Sequence, residues 1–237
     1  MNKNRGVTIF IPVYNEESVI VENTNQLINF IDDYSIDYEI MIVSNGSTDK
    51  TIELGEILSS SNNRIKFVHI DKKGVGLAFK KGIELAEFDK IITVDIDLSI
   101  NIEFIINAYL LLDDFDIVIG SKITGNQKRS WMRKFASNLF INCAKMLLKI
   151  SFHDYSIGAK GYNKELALKY IDNIDDETFY VVKLIYFAYQ EGKKIKEIPV
   201  ECIDLRESRF NLLYEGFYKF SNLFFLWGIK NFLGKKY

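Results

Sequence analysis

The sequence predicts an α/β protein, a mostly parallel sheet with helices on both faces. Two observations carry the prediction. Short apolar runs rich in β-branched residues alternate with segments of helical spacing, which is the pattern of βαβ units. Polar, acidic or glycine-bearing residues begin at once after Val13, Val43, Val94 and Ile119, where ligands bind in such sheets, at the carboxyl ends of the strands.

The elements follow in order. Gly6–Val13 (GVTIFIPV) reads as a buried strand. Glu17 to Asp33 has helical spacing through Val19, Leu27, Phe30 and Ile31. Tyr38–Val43 is a second strand. The loop Ser44–Asp49 opens a helix, with Ser47 or Thr48 as its expected N-cap. Ile65–Ile70 is a third strand, and Gly74–Gly76 leads into a helix ending near Ala86. Lys90–Val94 is a fourth strand that ends directly at Asp95. Glu103 to Leu112 is helical and Asp116–Ile119 is another strand. After Gly120 the rhythm changes. A polar loop, Thr124–Ser130, precedes an amphipathic basic helix over Trp131–Ile150 and a mixed segment, His153–Tyr162. A helix over Thr178–Gln190, a strand near Lys194–Val200 and an aromatic helical end, Phe210–Tyr237, complete the chain.

The 237 residues make one large domain, or a domain (1–209) with a C-terminal aromatic amphipathic segment (210–237). Neither repeats nor low-complexity stretches interrupt it. Cys143 and Cys202 are isolated and read as free thiols; no CxxC or Cys/His cluster supports zinc. Met1 to Arg5 lacks the features of a signal peptide, so a cytoplasmic location is expected. The net charge of −2 conceals a segregation: no acidic residue lies between Asp116 and Asp154, a stretch that carries Lys122, Lys128, Arg129, Arg133, Lys134, Lys145 and Lys149. Such a block points to an anionic partner. Nucleic acid is not expected, because no binding motif accompanies the block. The longest charge-free run near the end, Phe220–Ile229, is about half of the ~20 apolar residues that span a bilayer. It suits a peripheral position on a membrane surface instead.

Four segments carry chemistry. Asp95-Ile96-Asp97 crowds two carboxylates at a strand end, an arrangement that a hard cation such as Mg2+ or Mn2+ would neutralise while bridging to substrate phosphates. Pro12-Val13-Tyr14-Asn15-Glu16 offers a stacking ring and polar groups for a base or ribose. Ser44-Asn45-Gly46-Ser47-Thr48-Asp49 follows the second strand. In the turn Lys72–Ala78, Gly74 and Gly76 allow close backbone approach to a phosphate or ribose.

In order and spacing these segments resemble the family 2 glycosyltransferases of the GT-A fold, whose members show "PVYNE", "DDGSTD", "NxGxGxA" and "DxD" elements. The resemblance implies a nucleotide-binding α/β/α sandwich with C-terminal amphipathic helices. It also implies an inverting, metal-dependent hexosyltransferase that uses a GDP- or UDP-linked sugar. It places Mg2+ or Mn2+ on Asp95 and Asp97, and the donor on Pro12, Tyr14, Asn15, Glu16, Ser44, Asn45, Gly74, Gly76 and Asp95. The second half is similar to the polyprenyl-phosphate sugar synthases, such as dolichyl-phosphate mannose and glucose synthases. The matching elements are Gly120-Ser121-Lys122, Arg133–Ser137, Asp154–Gly158 and Glu197-Ile198-Pro199, with a weak match at Arg206 to Arg209. This implies catalytic roles for Asp97, Lys122 and Arg133, a polyprenyl phosphate acceptor and a site on the cytoplasmic face of a membrane. The chain departs from the pattern in four places. Ser44 and Asn45 stand where two aspartates are usual, Lys122 replaces an arginine, Ser99 replaces a glutamine, and the glycine after Asp154 is shifted.

The acceptor can also be argued from chemistry. A sugar hydroxyl needs a general base. A phosphate is already anionic near pH 7 and needs positioning and charge neutralisation, which the basic stretch can supply. A hydroxyl acceptor stays open, since Asp175-Asp176-Glu177 could provide a base. A nucleotidyltransferase is disfavoured by the missing N-terminal glycine-rich phosphate loop. A non-catalytic relative is supported only by Ser44 and Asn45.

Overall fold

The computed structural model describes residues 5–122, 124, 127–128, 131–155, 157–203 and 212–229, with backbone alone at 127–128, 131–134 and 212–213. The elements are β1 (Val7–Val13), α1 (Ile20–Asp32), β2 (Tyr38–Asn45), α2 (Thr51–Ser61), β3 (Ile65–Ile70), α3 (Val75–Leu85), β4 (Lys90–Thr93), α4 (Glu103–Leu111) and β5 (Ile117–Ser121). Then come β6 (Gln127–Lys128), α5 (Trp131–Leu148), β7 (Lys160–Asn163), α6 (Lys164–Lys169), α7 (Tyr180–Gln190), β8 (Ile195–Pro199), β9 (Cys202–Ile203) and α8 (Leu212–Gly228). Seven strands form one sheet in the order β3-β2-β1-β4-β7-β5-β8. Its pairs are parallel except those of β7, which is antiparallel to both β4 and β5.

Alternation along the strands builds a core on each face. Phe10, Met41, Val43 and Ile91 pack under α3 and α5–α8, whereas Ile9, Ile11, Ile40, Ile42 and Ile92 pack under α1, α2 and α4. This is the expected α/β/α sandwich. On the first face Phe79 is buried edge-on to Phe10, with centroids 5.8 Å apart, and to Tyr162, at 5.3 Å. Gly82, one turn later, leaves room for the Phe10 ring, which a Cβ there would meet at 2.4 Å. The C-terminal helix α8 packs on α5 and adds Leu223 and Leu226 to this core.

Most strands fall within two residues of the positions expected. The short strands β6 and β9 and helix α6 were not expected, and two further features differ. The segment expected to be mixed contains β7, whose Lys160 and Gly161 break the apolar run that marks the other strands. Neither Ser47 nor Thr48 caps α2: Ser47 Oγ accepts from Asn15 N at 3.1 Å and Thr48 N donates to Asn15 Oδ1 at 2.7 Å. Both are used to tie the ends of β1 and β2 together, and Asp49 Oδ1 takes the Thr51 amide at 2.9 Å instead. Cys143 and Cys202 are free thiols.

Candidate active site

The parallel register Pro12↔Val43 and Val13↔Ser44 sets the two loops after β1 and β2 side by side. Asn15, at φ 55, turns the chain there, a left-handed conformation that asparagine tolerates. Glu16 N donates to Thr51 Oγ1 at 2.7 Å. Lys73 Nζ stands 3.8 Å from the centroid of the Tyr14 ring, a cation–π contact. Pro12, Tyr14, Asn15, Glu16, Ser44 and Asn45 are thus gathered at one edge of the sheet.

Ser44 and Asn45 are buried and bonded to protein. Ser44 Oγ donates to Ser47 Oγ at 2.9 Å and lies 3.0 Å from His69 Nδ1. Asn45 Nδ2 donates to Val13 O at 2.9 Å, and its Oδ1 accepts from Gly74 N at 3.2 Å. One amide therefore clamps the ends of β1, β2 and the turn into α3. Gly74 and Gly76 also allow a close approach within the protein. A Cβ on Gly74 would meet Asp176 O at 2.6 Å, and one on Gly76 would meet Asp175 O at 2.2 Å.

At the end of β4 the chain turns through Leu98, with φ 48. Ile96 is buried in the second core, and its carbonyl accepts from Asn23 Nδ2 at 2.8 Å. Asp97 Oδ1 accepts from Ser99 N at 3.0 Å. Asp95 lines a cavity of about 340 Å³ together with Pro12, Thr93, Lys122, Tyr180 and Lys219. Most of the remaining wall is apolar and comes from α5, α7 and α8, including Phe140, Ile141, Val181 and Phe220. Among the described residues no three His, Cys, Asp or Glu side chains gather as a cage. The donor set therefore fits a cation that keeps waters and binds one or two carboxylates plus substrate phosphates, as Mg2+ and Mn2+ do.

Lys122 is buried, and its Nζ pairs with Asp154 Oδ2 at 3.1 Å. Asp154 has no exposed surface and also accepts from Ile157 N at 3.2 Å. A second buried cation, Lys160, donates to Ile157 O at 2.5 Å. Burial lowers its pKa to about 8, against the pull of Asp154, so it is mostly protonated at pH 7. Lys160 thus feels the charges of Asp154, Lys122 and Asp95 together. The sequence reading did not single out Lys160. The available signal was a lysine standing between small residues in a segment that had to pair with two strands. Arg133 lies on α5, but its side chain is outside the described residues, as are Arg206 and Arg209.

Of the alternative base segment Asp175-Asp176-Glu177, Asp175 and Asp176 bond protein groups, while burial raises the Glu177 carboxyl above its usual range. Asp175 Oδ1 accepts from Tyr218 OH at 2.8 Å and from Phe179 N at 3.2 Å. Asp176 pairs with Lys80 at 2.9 Å and with Lys72 at 3.3 Å, and the bond from Lys80 chiefly holds its carboxyl below the usual range.

Known proteins share this architecture. The family model described as "Glycosyl transferase family 2" matches residues 8–171. Glycosyltransferase AglD of Haloferax volcanii is 21% identical over 215 residues, covering 87% of this chain and 34% of that protein. An undecaprenyl-phosphate 4-deoxy-4-formamido-L-arabinose transferase of Edwardsiella ictaluri is 28% identical over 211 residues, covering 87% of this chain and 63% of that protein. The chain thus spans less than two thirds of the length of these curated relatives. Among solved structures, glucosyl-3-phosphoglycerate synthase from Mycobacterium tuberculosis, in complex with Mn2+ and uridine-diphosphate-glucose, superposes with a TM-score of 0.69 at 16% identity, covering 94% of this chain and 79% of that one. That likeness shows the GT-A fold. With the family model running from β1 through the β4 carboxylates and β7 to the end of α6, the chain belongs to glycosyl transferase family 2.

Proposed function

We propose that the protein is an inverting, metal-dependent glycosyltransferase that moves a hexose from a UDP- or GDP-linked sugar to a polyprenyl phosphate at a membrane surface. The single observation that carries the acceptor half is the cavity. Its lining combines the charged Asp95, Lys122, Glu215 and Lys219 with the apolar Phe140, Ile141, Val181 and Phe220, so a charged head group and a hydrocarbon tail would each meet matching surface.

The residues divide the work. The donor base and ribose rest against Pro12, Tyr14, Asn15 and Glu16. Ser44, Asn45, Gly74 and Gly76 keep that edge rigid. Asp95 and Asp97 would hold Mg2+ or Mn2+, which supplies charge stabilisation of the leaving diphosphate. Lys122, backed by Lys160 and joined by Arg133, neutralises the acceptor phosphate and aims one oxygen at the anomeric carbon. That phosphate is already anionic, so the reading requires no base. The relative named as an undecaprenyl-phosphate sugar transferase supports the same acceptor class.

The membrane half rests on α5 and α8. Phe135 and Met146 on α5 are 65% and 71% exposed, and Phe217 and Phe225 on α8 are 77% and 66% exposed. Aromatic side chains on two packed helices, beside the cations of the acid-free stretch, suit an anionic lipid surface. No helix among the described residues is long and apolar enough to cross a membrane.

A short-chain polyprenyl phosphate should raise the melting temperature of the protein by mass action. The matching polyprenol and inorganic phosphate should each give a smaller shift. A shift from soluble sugar acceptors and none from the lipid phosphate would contradict the acceptor assignment.

A further inference from the structure

The antiparallel strand β7 lies between the two groups that the proposed function uses most. Its register with β4 pairs Thr93 with Lys160. Continued by two residues, that register sets Gly158 opposite Asp95. Its register with β5 pairs Ile119 with Lys160, and Gly120 N donates to Ala159 O at 3.0 Å. Continued further, that register sets Ile157 opposite Lys122. The short segment 154–158 is therefore the frame between the acidic strand end and the buried lysine.

Contacts fix this frame from both sides. Thr93 Oγ1 donates to Gly158 O. Asp154 binds Lys122 through both its backbone amide and its ammonium, and Lys160 holds Ile157 O. The Asp95 carboxylate lies directly against Gly158: a Cβ there would stand 2.4 Å from both Oδ1 and Oδ2. Gly158 is followed by the buried residues Ala159 and Lys160, so the backbone has little room to retreat. The easiest relaxation for any larger residue is rotation of the Asp95 side chain, and that rotation moves the carboxylate.

We infer that Gly158 and Asp154 are positioning residues, which set the orientation of the Asp95 carboxylate and its separation from Lys122. The inference rests on the proposal that Asp95 holds a cation. It assigns to the glycine of this segment a steric role at the cation rather than a turn or an acceptor contact.

The test is calorimetric titration of Mn2+ into protein saturated with UDP or GDP, whichever binds the wild type more tightly. Groups that orient a ligand to a metal typically change its affinity 10- to 100-fold when altered. Gly158→Ala should therefore weaken Mn2+ binding by about ten-fold or more, while metal-free nucleotide affinity and melting temperature change little. Thr93→Val, nearly isosteric and lacking the hydroxyl that holds Gly158, should weaken Mn2+ binding in the same direction by less. It decides the question if Gly158→Ala does not fold. A folded Gly158→Ala with wild-type Mn2+ affinity overturns the inference. So does Thr93→Val with wild-type affinity where the alanine variant is unfolded. A wild type that binds nucleotide but no Mn2+ overturns the cation assignment itself, and the inference with it.

Discussion

Asp95→Asn and Asp97→Asn should each lower kcat by about a thousand-fold, equivalent to roughly 4 kcal/mol of barrier. Each amide keeps the size of the carboxylate and loses the charge that would hold a divalent cation on the donor diphosphate. The fold should survive both changes. Asn at 97 can still accept from the Ser99 amide, which Asp97 binds at 3.0 Å, and Asn at 95 fills the same space against Gly158. Circular dichroism and thermal melting should therefore match the wild type while turnover collapses. Near-normal turnover in either variant, or full wild-type activity in excess chelator, would remove the metal from the account.

The second large effect is on stability. Lys122→Met should destabilise the protein by roughly 3 kcal/mol, because it removes one charged partner from a fully buried ion pair. In a chain of 237 residues that corresponds to a fall in melting temperature of about 6–12 °C. Asp154 has no exposed surface and bonds Lys122 at 3.1 Å. Removing both charges in Lys122→Met with Asp154→Leu should recover much of the loss, since a buried pair replaced by apolar groups is often nearly neutral. Thermal denaturation of the single and double variants measures this. A loss below about 1 kcal/mol for Lys122→Met would mean that the pair is well solvated or that Lys160 replaces the missing charge.

These predictions draw on different depths of the chain. The parallel half of the sheet was legible because Val7–Val13 and Tyr38–Asn45 are mostly apolar runs, and the polar residues that follow them mark the ligand edge. Asp95 and Asp97 were legible because their charges follow a strand so abruptly. The antiparallel β7 was not. Its Gly161 packs against Leu112 and Val118, and Gly158 just before the strand packs against Asp95, long-range neighbours that local periodicity cannot reveal. The same holds for Ser47 and Thr48, which resemble helix caps in sequence but bond a loop 32 and 33 residues away. Gly74 and Gly76 signalled a close backbone approach, and the chain at 175–176 makes one such approach. Lys122 was read as a cation facing a phosphate, and it lines the cavity. Its buried partner Asp154 adds a structural duty that only the folded chain shows.

The measurement that bears most directly on the central claim is a transfer assay with radiolabelled nucleotide sugars, Mn2+ and two kinds of acceptor, a short polyprenyl phosphate or soluble sugars. The account predicts that label enters the organic phase only with the lipid phosphate, as a product of inverted anomeric configuration, and that chelator abolishes the transfer. Label moving only to sugar hydroxyls, with none extracted into the organic phase, would contradict it.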